Sequence, residues 1–190
     1  MFLSRPAARA AILSARLATF ATATPALGQT VFINEIHYDN AGTDVGESIE
    51  IAGPAGTDLL GWAIVLYNGS SGTAYSTRSL TATIPDLGDG FGVVAESYPT
   101  NGIQNGAPDG IALVDGTGAV VQFLSYEGNF TALGGPADGM TSTDIGVSES
   151  SGTATGDSLQ LSGTGASYGD FTWNAPAADS FGLVNPGQVY

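Results

Sequence analysis

The chain has 190 residues, with 18 acidic against four basic side chains, no cysteine and a formal charge of −14. That length suffices for one domain burying roughly 70 % of its unfolded surface, and the lack of cysteine excludes a disulfide scaffold. Hydrophobic residues make up 43%, with 28 glycines and 9 prolines, a mixture that favours many short strands joined by turns over long helices.

Residues 1–28 read as a secretory signal. Arg5, Arg9 and Arg16 precede an apolar run from Leu17 to Leu27, and Ala26-Leu27-Gly28 places small residues where a signal peptidase reads. A cut after Ala23 fits the same rule. The mature chain, residues 29–190, is therefore expected to be secreted, and without an apolar run of 18 residues no membrane span is expected. Three of the four basic residues lie in the signal, so its removal takes the charge from −14 to −17 and leaves Arg78 as the only cation. Nucleic-acid backbones are bound through Lys and Arg that release counterions, so direct nucleic-acid binding is not expected. Cationic partners or metal ions suit such a chain better, although acidic charge also serves solubility.

In chain order the pattern is β throughout. Val31, Ile33 and Ile36 mark a first strand, Ile49 and Ile51 around Glu50 a second, and Trp62, Ile64 and Leu66 a third, each near the period of two that buries one face. After the Asn68-Gly69 turn, Tyr75 to Leu80 and Phe91 to Ala95 follow as strands. Tyr98 to Gly106, with two Asn-Gly pairs and a proline, is loop. Ile111 to Val114 and Val120 to Tyr126 form a hairpin across Asp115-Gly116-Thr117-Gly118. Glu127 to Thr155 is a long polar stretch with room for a weak strand near Asp144 to Val147. Ser158 to Leu161 and Phe171 to Asn174 complete the set, around a single hydrophobic core.

Few groups here carry bond-making chemistry. Lysine and cysteine are absent, which removes Schiff-base, phosphate-loop and thiolate mechanisms. His37 is the sole imidazole and reads as a strand-end residue with a satisfied ring rather than a base or ligand. Gly165-Ala166-Ser167-Tyr168-Gly169 matches the G-x-S-x-G elbow, but not in a strand-turn-helix context, and the Ser follows the His. Sequence spacing selects no carboxylate pair of the kind glycoside hydrolysis uses. The better site is a hard cation in Asp39 to Glu47, where Asp39, Asn40, Thr43, Asp44 and Glu47 supply oxygen ligands suited to calcium, with exposed acids as the plainer reading. Strand alternation turns Glu35 and Glu50 away from the core, where solvated acids are the plainer reading beside a structural salt link or an open sheet face used for binding. Trp62 and Trp173 read as core or rim anchors.

Ile33-Asn34-Glu35-Ile36, Glu47-Ser48-Ile49-Glu50-Ile51 and the Leu59 to Trp62 corner resemble the lamin tail domain in its secreted bacterial form. PDGIALVD, VVQFLSYEG, TSTDIGV and the closing GLVNPGQ extend the likeness over essentially all of Gln29 to Tyr190. The resemblance implies an all-β, immunoglobulin-like antiparallel β-sandwich. In that group the module commonly sits beside a secreted nuclease or phosphatase of the endonuclease/exonuclease/phosphatase type. The expected function is a secreted, non-catalytic interaction or targeting module that binds protein or polysaccharide at the cell surface and requires no cofactor. Two further readings stand beside it: the accessory module of an exported nuclease or phosphatase whose catalytic domain lies outside this chain, and a metal-dependent hydrolase working through the carboxylates.

Overall fold

A computed structural model describes residues 28–190, so the signal expected over residues 1–28 lies, but for Gly28, outside the described residues. The described chain holds β1 (Phe32–His37), β2 (Ser48–Pro54), β3 (Ala63–Asn68), β4 (Thr73–Ser79), β5 (Phe91–Ser97) and β6 (Asp109–Val114). These are followed by β7 (Val120–Tyr126), β8 (Thr143–Asp144), β9 (Asp157–Thr164), β10 (Phe171–Ala178) and β11 (Gln188–Val189), with one 3-10 turn at Tyr168–Asp170. One sheet runs β10-β9-β1-β2-β5 with β11 beside β9, and the other runs β4-β3-β6-β7-β8. The fold is the expected all-β sandwich. Its long pairings are antiparallel, but β11 on β9 and β8 on β7 are short parallel contacts that alternation alone does not announce. No helix among the described residues is long and apolar enough to cross a membrane.

The period-two pattern explains the main core. Ile33, Ile36, Ile49 and Ile51 from one sheet meet Ile64, Leu66, Ile111, Leu113 and Leu124 from the other. Each such side chain gains about 1.5–3 kcal/mol on leaving water. Leu59 is fully buried at the corner before β3, Trp62 packs against the core from its rim, and Trp173 is buried, which bears out the two indoles as anchors.

A second, smaller cluster corrects the expectation of one core. Val65 and Tyr67 of β3, Ala112 and Val114 of β6, and Phe123 of β7 point to the opposite face of their sheet, where Ala132 and Ala137 cover them. The polar stretch after β7 is thus a cover for a sheet buried on both faces, and the near-continuous apolar runs of β3 and β6 are its signature. The Tyr67 hydroxyl ties the cover down, donating to the Gly134 carbonyl at 3.3 Å and accepting from the Ala137 amide at 3.0 Å. The weak strand expected near Asp144 exists as β8.

Glu35 and Glu50 also need correcting. They face away from the core, as alternation requires, but both are fully buried rather than solvated. They stand directly opposite each other on β1 and β2, under a C-terminal segment running from Ser180 to Gln188. Glu35 accepts from Ser180 N at 2.8 Å and Ser158 Oγ at 2.6 Å, and Glu50 from Gly182 N at 2.6 Å and Asn34 Nδ2 at 2.9 Å. Asn185 Nδ2 donates to the carbonyls of Asn34 and Leu161, and Gln188 Nε2 to Asn34 Oδ1. Burial raises both acids, with the Asp179 carboxylate adding to the rise of Glu35 and the Glu35 carboxylate to that of Glu50, which goes from 4.5 to about 8.

Two outcomes follow from these packings. Phe123→Ala should cost about 3–5 kcal/mol in denaturant unfolding and open the segment 127–142 to limited proteolysis ahead of the sandwich. The raised Glu50 means that the unfolded chain gives up this proton first, so stability falls as pH climbs from 4.5 towards about 8. Glu50→Gln should flatten that fall in a series of melting curves.

Candidate functional site

The chemistry-bearing side chains gather at one end of the sandwich, where the loop after β1, the loop between β5 and β6 and the segment after β7 meet. Glu149 joins two of these. Its carboxylate accepts from His37 Nδ1 at 2.8 Å, Tyr38 N at 2.6 Å and Asp39 N at 2.9 Å, while its own amide donates to the Tyr38 hydroxyl at 2.8 Å. Tyr38 stacks on Tyr126 with ring centroids 3.8 Å apart, and its hydroxyl donates to Glu127 at 3.2 Å.

The hydrogen bonds around His37 decide its charge. Nδ1 faces a carboxylate, and Nε2 faces the Val45 carbonyl at 3.1 Å and Asn40 Oδ1 at 3.2 Å. The Asn40 orientation is set by its Nδ2, which donates to the carbonyls of Ala41 and Thr43, and by its Oδ1, which accepts from Val45 N. All the partners of the ring are acceptors, so both nitrogens donate and the ring is an imidazolium. Burial alone lowers the imidazole pKa, but the Glu149 carboxylate, with the Val45 carbonyl and Asn40, outweighs that and lifts it from 6.5 to about 9. An imidazolium has no lone pair for a metal or a substrate proton, and the satisfied strand-end reading of His37 holds.

Glu47 performs a parallel task on the next loop. Its two oxygens accept from Gly102 N at 2.7 Å and Ile103 N at 2.8 Å, and Ile103 is buried below. The Tyr75 hydroxyl accepts from Gln104 N at 2.8 Å, and the Tyr126 hydroxyl donates to the Gln104 carbonyl. Asp109 accepts from Gly69 N and Gly106 N, each at 2.8 Å, which draws the β3–β4 turn against the same loop. Only glycine fits at 69, because a Cβ there would lie 2.0 Å from the Pro108 carbonyl oxygen.

Of the five expected calcium ligands, the structure brings Asp39, Asn40 and Asp44 together. Asp44 accepts from Asn40 N and from Asn105 Nδ2, each at 3.2 Å. Burial and the neighbouring Asp44 carboxylate raise the Asp39 pKa. Glu47 is engaged with its two amides, and Thr43 is exposed. Among the described residues no group of three or more imidazole or acidic side chains is arranged to hold a metal ion. Ser167 of the elbow-like pentapeptide precedes the 3-10 turn, with the Asp170 carboxylate accepting the Ala166 and Ser167 amides. Glu149, Gln104, Asn105 and Asp109 were not legible as site residues, since each lies in or beside loop sequence and takes its role from strands far away in the chain.

Between these loops lies a cleft of about 360 Å³ lined by Asp44, Asn68, Asn101, Ile103, Gln104, Asn105, Gly106 and Asp109. A smaller one of about 140 Å³ is lined by Glu127, Asp144, Gly146, Val147 and Ser148. No family model matches the chain, and no curated protein or solved structure matches it either.

The His37–Glu149 pair yields a pH signature. A histidine with a raised folded pKa stabilises the fold fully below its unfolded value of 6.5, and that contribution is lost as pH rises through about 9. His37→Gln should remove this alkaline loss from unfolding curves measured between pH 6 and 10. Glu149→Ala should cost about 3–5 kcal/mol at neutral pH, because it leaves a buried cation without its partner.

Proposed function

We propose that this chain is an exported, non-catalytic recognition module of the lamin-tail kind, which engages protein or polysaccharide at the cell surface through the loops at one end of the sandwich. One observation carries the reading. The titratable groups there hold loops in place: Glu47, Asp109 and Glu149 each accept two backbone amides, and His37 is locked as a cation. Loops braced in this way present a preformed surface, which reduces the ordering cost of binding. The strongly negative mature chain, with Arg78 as its only arginine and no lysine, favours partners other than nucleic acids or anionic membranes.

Sedimentation of the purified protein with isolated cell-envelope fragments tests this. Saturable binding is expected, without turnover in a screen of ester, phosphodiester and glycoside substrates. Failure to bind any envelope fraction, or turnover abolished by a substitution in this loop cluster, would overturn the reading. The module requires no cofactor, so binding in EDTA should equal binding in calcium chloride. A gain in calcium would instead assign the ion to Asp39 and Asp44.

A further inference from the structure

The 360 Å³ cleft carries a more specific assignment, which rests on the recognition reading above. Its volume falls at the small end of ligand sites, which span about 300–1,000 Å³. Its lining is dominated by neutral amides, Asn68, Asn101, Gln104 and Asn105, with the two acids Asp44 and Asp109 and no cation. Ile103 is the only large apolar lining residue, and it is buried as an anchor of the loop.

Three properties of this lining narrow the ligand. Amide groups both donate and accept, as sugar hydroxyls do, so each Asn or Gln can meet one hydroxyl in either sense. Among the described residues, Gln104 Nε2, Asn105 Oδ1 and the Asn101 side-chain amide carry no protein hydrogen bond, whereas Asn68 Nδ2 is held on Gln104 Oε1 at 2.6 Å and Asn105 Nδ2 on Asp44 at 3.2 Å. Gln104 and Asn105 are thus half-engaged, oriented by the protein with capacity left over, and Asn101 is placed beside them by its backbone N–H on the Asp44 carbonyl. The missing cation and the negative chain disfavour anionic polymers, and no exposed apolar anchor is present for a peptide side chain to cover.

The loop is also built to stay still. Glu47, Tyr75 and Tyr126 grip the backbone of Gly102, Ile103 and Gln104 from below, and the side chains at 101, 104 and 105 remain exposed at the surface. Burying Glu47 raises its pKa and opposes folding, which its two amide bonds offset in part. We infer that this cleft binds a neutral saccharide, with Asn101, Gln104 and Asn105 hydrogen-bonding its hydroxyls and Asp44 accepting from one of them.

The test titrates the full chain with neutral oligosaccharides of glucose, mannose and N-acetylglucosamine, followed by the side-chain amide signals in ¹H–¹⁵N NMR spectra. At least one sugar should shift the Asn101, Gln104 and Asn105 signals saturably. Asn101→Ala and Gln104→Ala, both at exposed positions, should together weaken that binding at least tenfold with an unchanged melting temperature. If that pair alters the melting temperature, Asn105→Ala provides the second comparison. Sugar binding that these substitutions leave intact would overturn the cleft assignment while the recognition reading stands. So would binding only of a lysine-rich peptide, or envelope binding that survives periodate but not protease. Loss of envelope binding altogether would overturn both.

Discussion

Buried carboxylates that accept backbone amides hold this sandwich together at its ends. A carboxyl removed from water is costly unless its oxygens find donors, and the described residues, with Arg78 as their one arginine and no lysine, have almost no cations to offer. Backbone N–H groups take that place. Glu47, Asp109 and Glu149 each accept two of them, and Glu35 and Glu50 accept those of Ser180 and Gly182. All of these bonds but the local one from Gly106 to Asp109 join segments far apart in the chain, so the acids act as staples between a loop and a sheet. Where the one available imidazole is used, it serves as the cation beside Glu149.

This arrangement places the hydrophobic driving force and the loops of the proposed recognition surface in different parts of the molecule. The apolar core between the sheets, with the second cluster behind β3, β6 and β7, supplies the driving force for folding. The acids contribute little to that force, and some oppose it, as the raised pKa values of Glu35, Glu47 and Glu50 show. What they provide is loop geometry. A loop held at Gly102, Ile103 and Gln104 by a carboxylate and two tyrosine hydroxyls can display neighbouring amides in a constant orientation. A loop without such contacts would sample many conformations and lose affinity to ordering.

A β-sandwich by itself is compatible with many activities, so function resides in the site. Here the cleft is polar, small, open and uncharged by any cation, and the groups around it that most resemble catalytic residues are spent on structure. The imidazolium of His37 is the clearest instance, because its neighbours leave neither nitrogen free. The lining amides give the narrower indication, toward the proposed saccharide ligand.

Strand alternation was sufficient for the fold class, because burying one face of a sheet imposes a period of two that shows directly in Ile49-Glu50-Ile51 and Trp62-Ala63-Ile64. The hairpin across Asp115 to Gly118 and the loop character of 98–106 were equally legible, since glycine, asparagine and proline act on their own neighbours. Lost from view was whatever depended on a second segment covering the first. Alternation could turn Glu35 and Glu50 away from the core, but only the return of Ser180 to Gln188 over that face buried them. In the same way the candidate ligand loop was visible as a run of acids, while Glu149, Gln104 and Asp109 became partners in the site through contacts spanning up to about a hundred residues. Local sequence determines which backbone states and which face a residue prefers. The tertiary structure alone decides what lies opposite that face, and so whether an acid is solvated, stapled to an amide or set at the edge of a binding cleft.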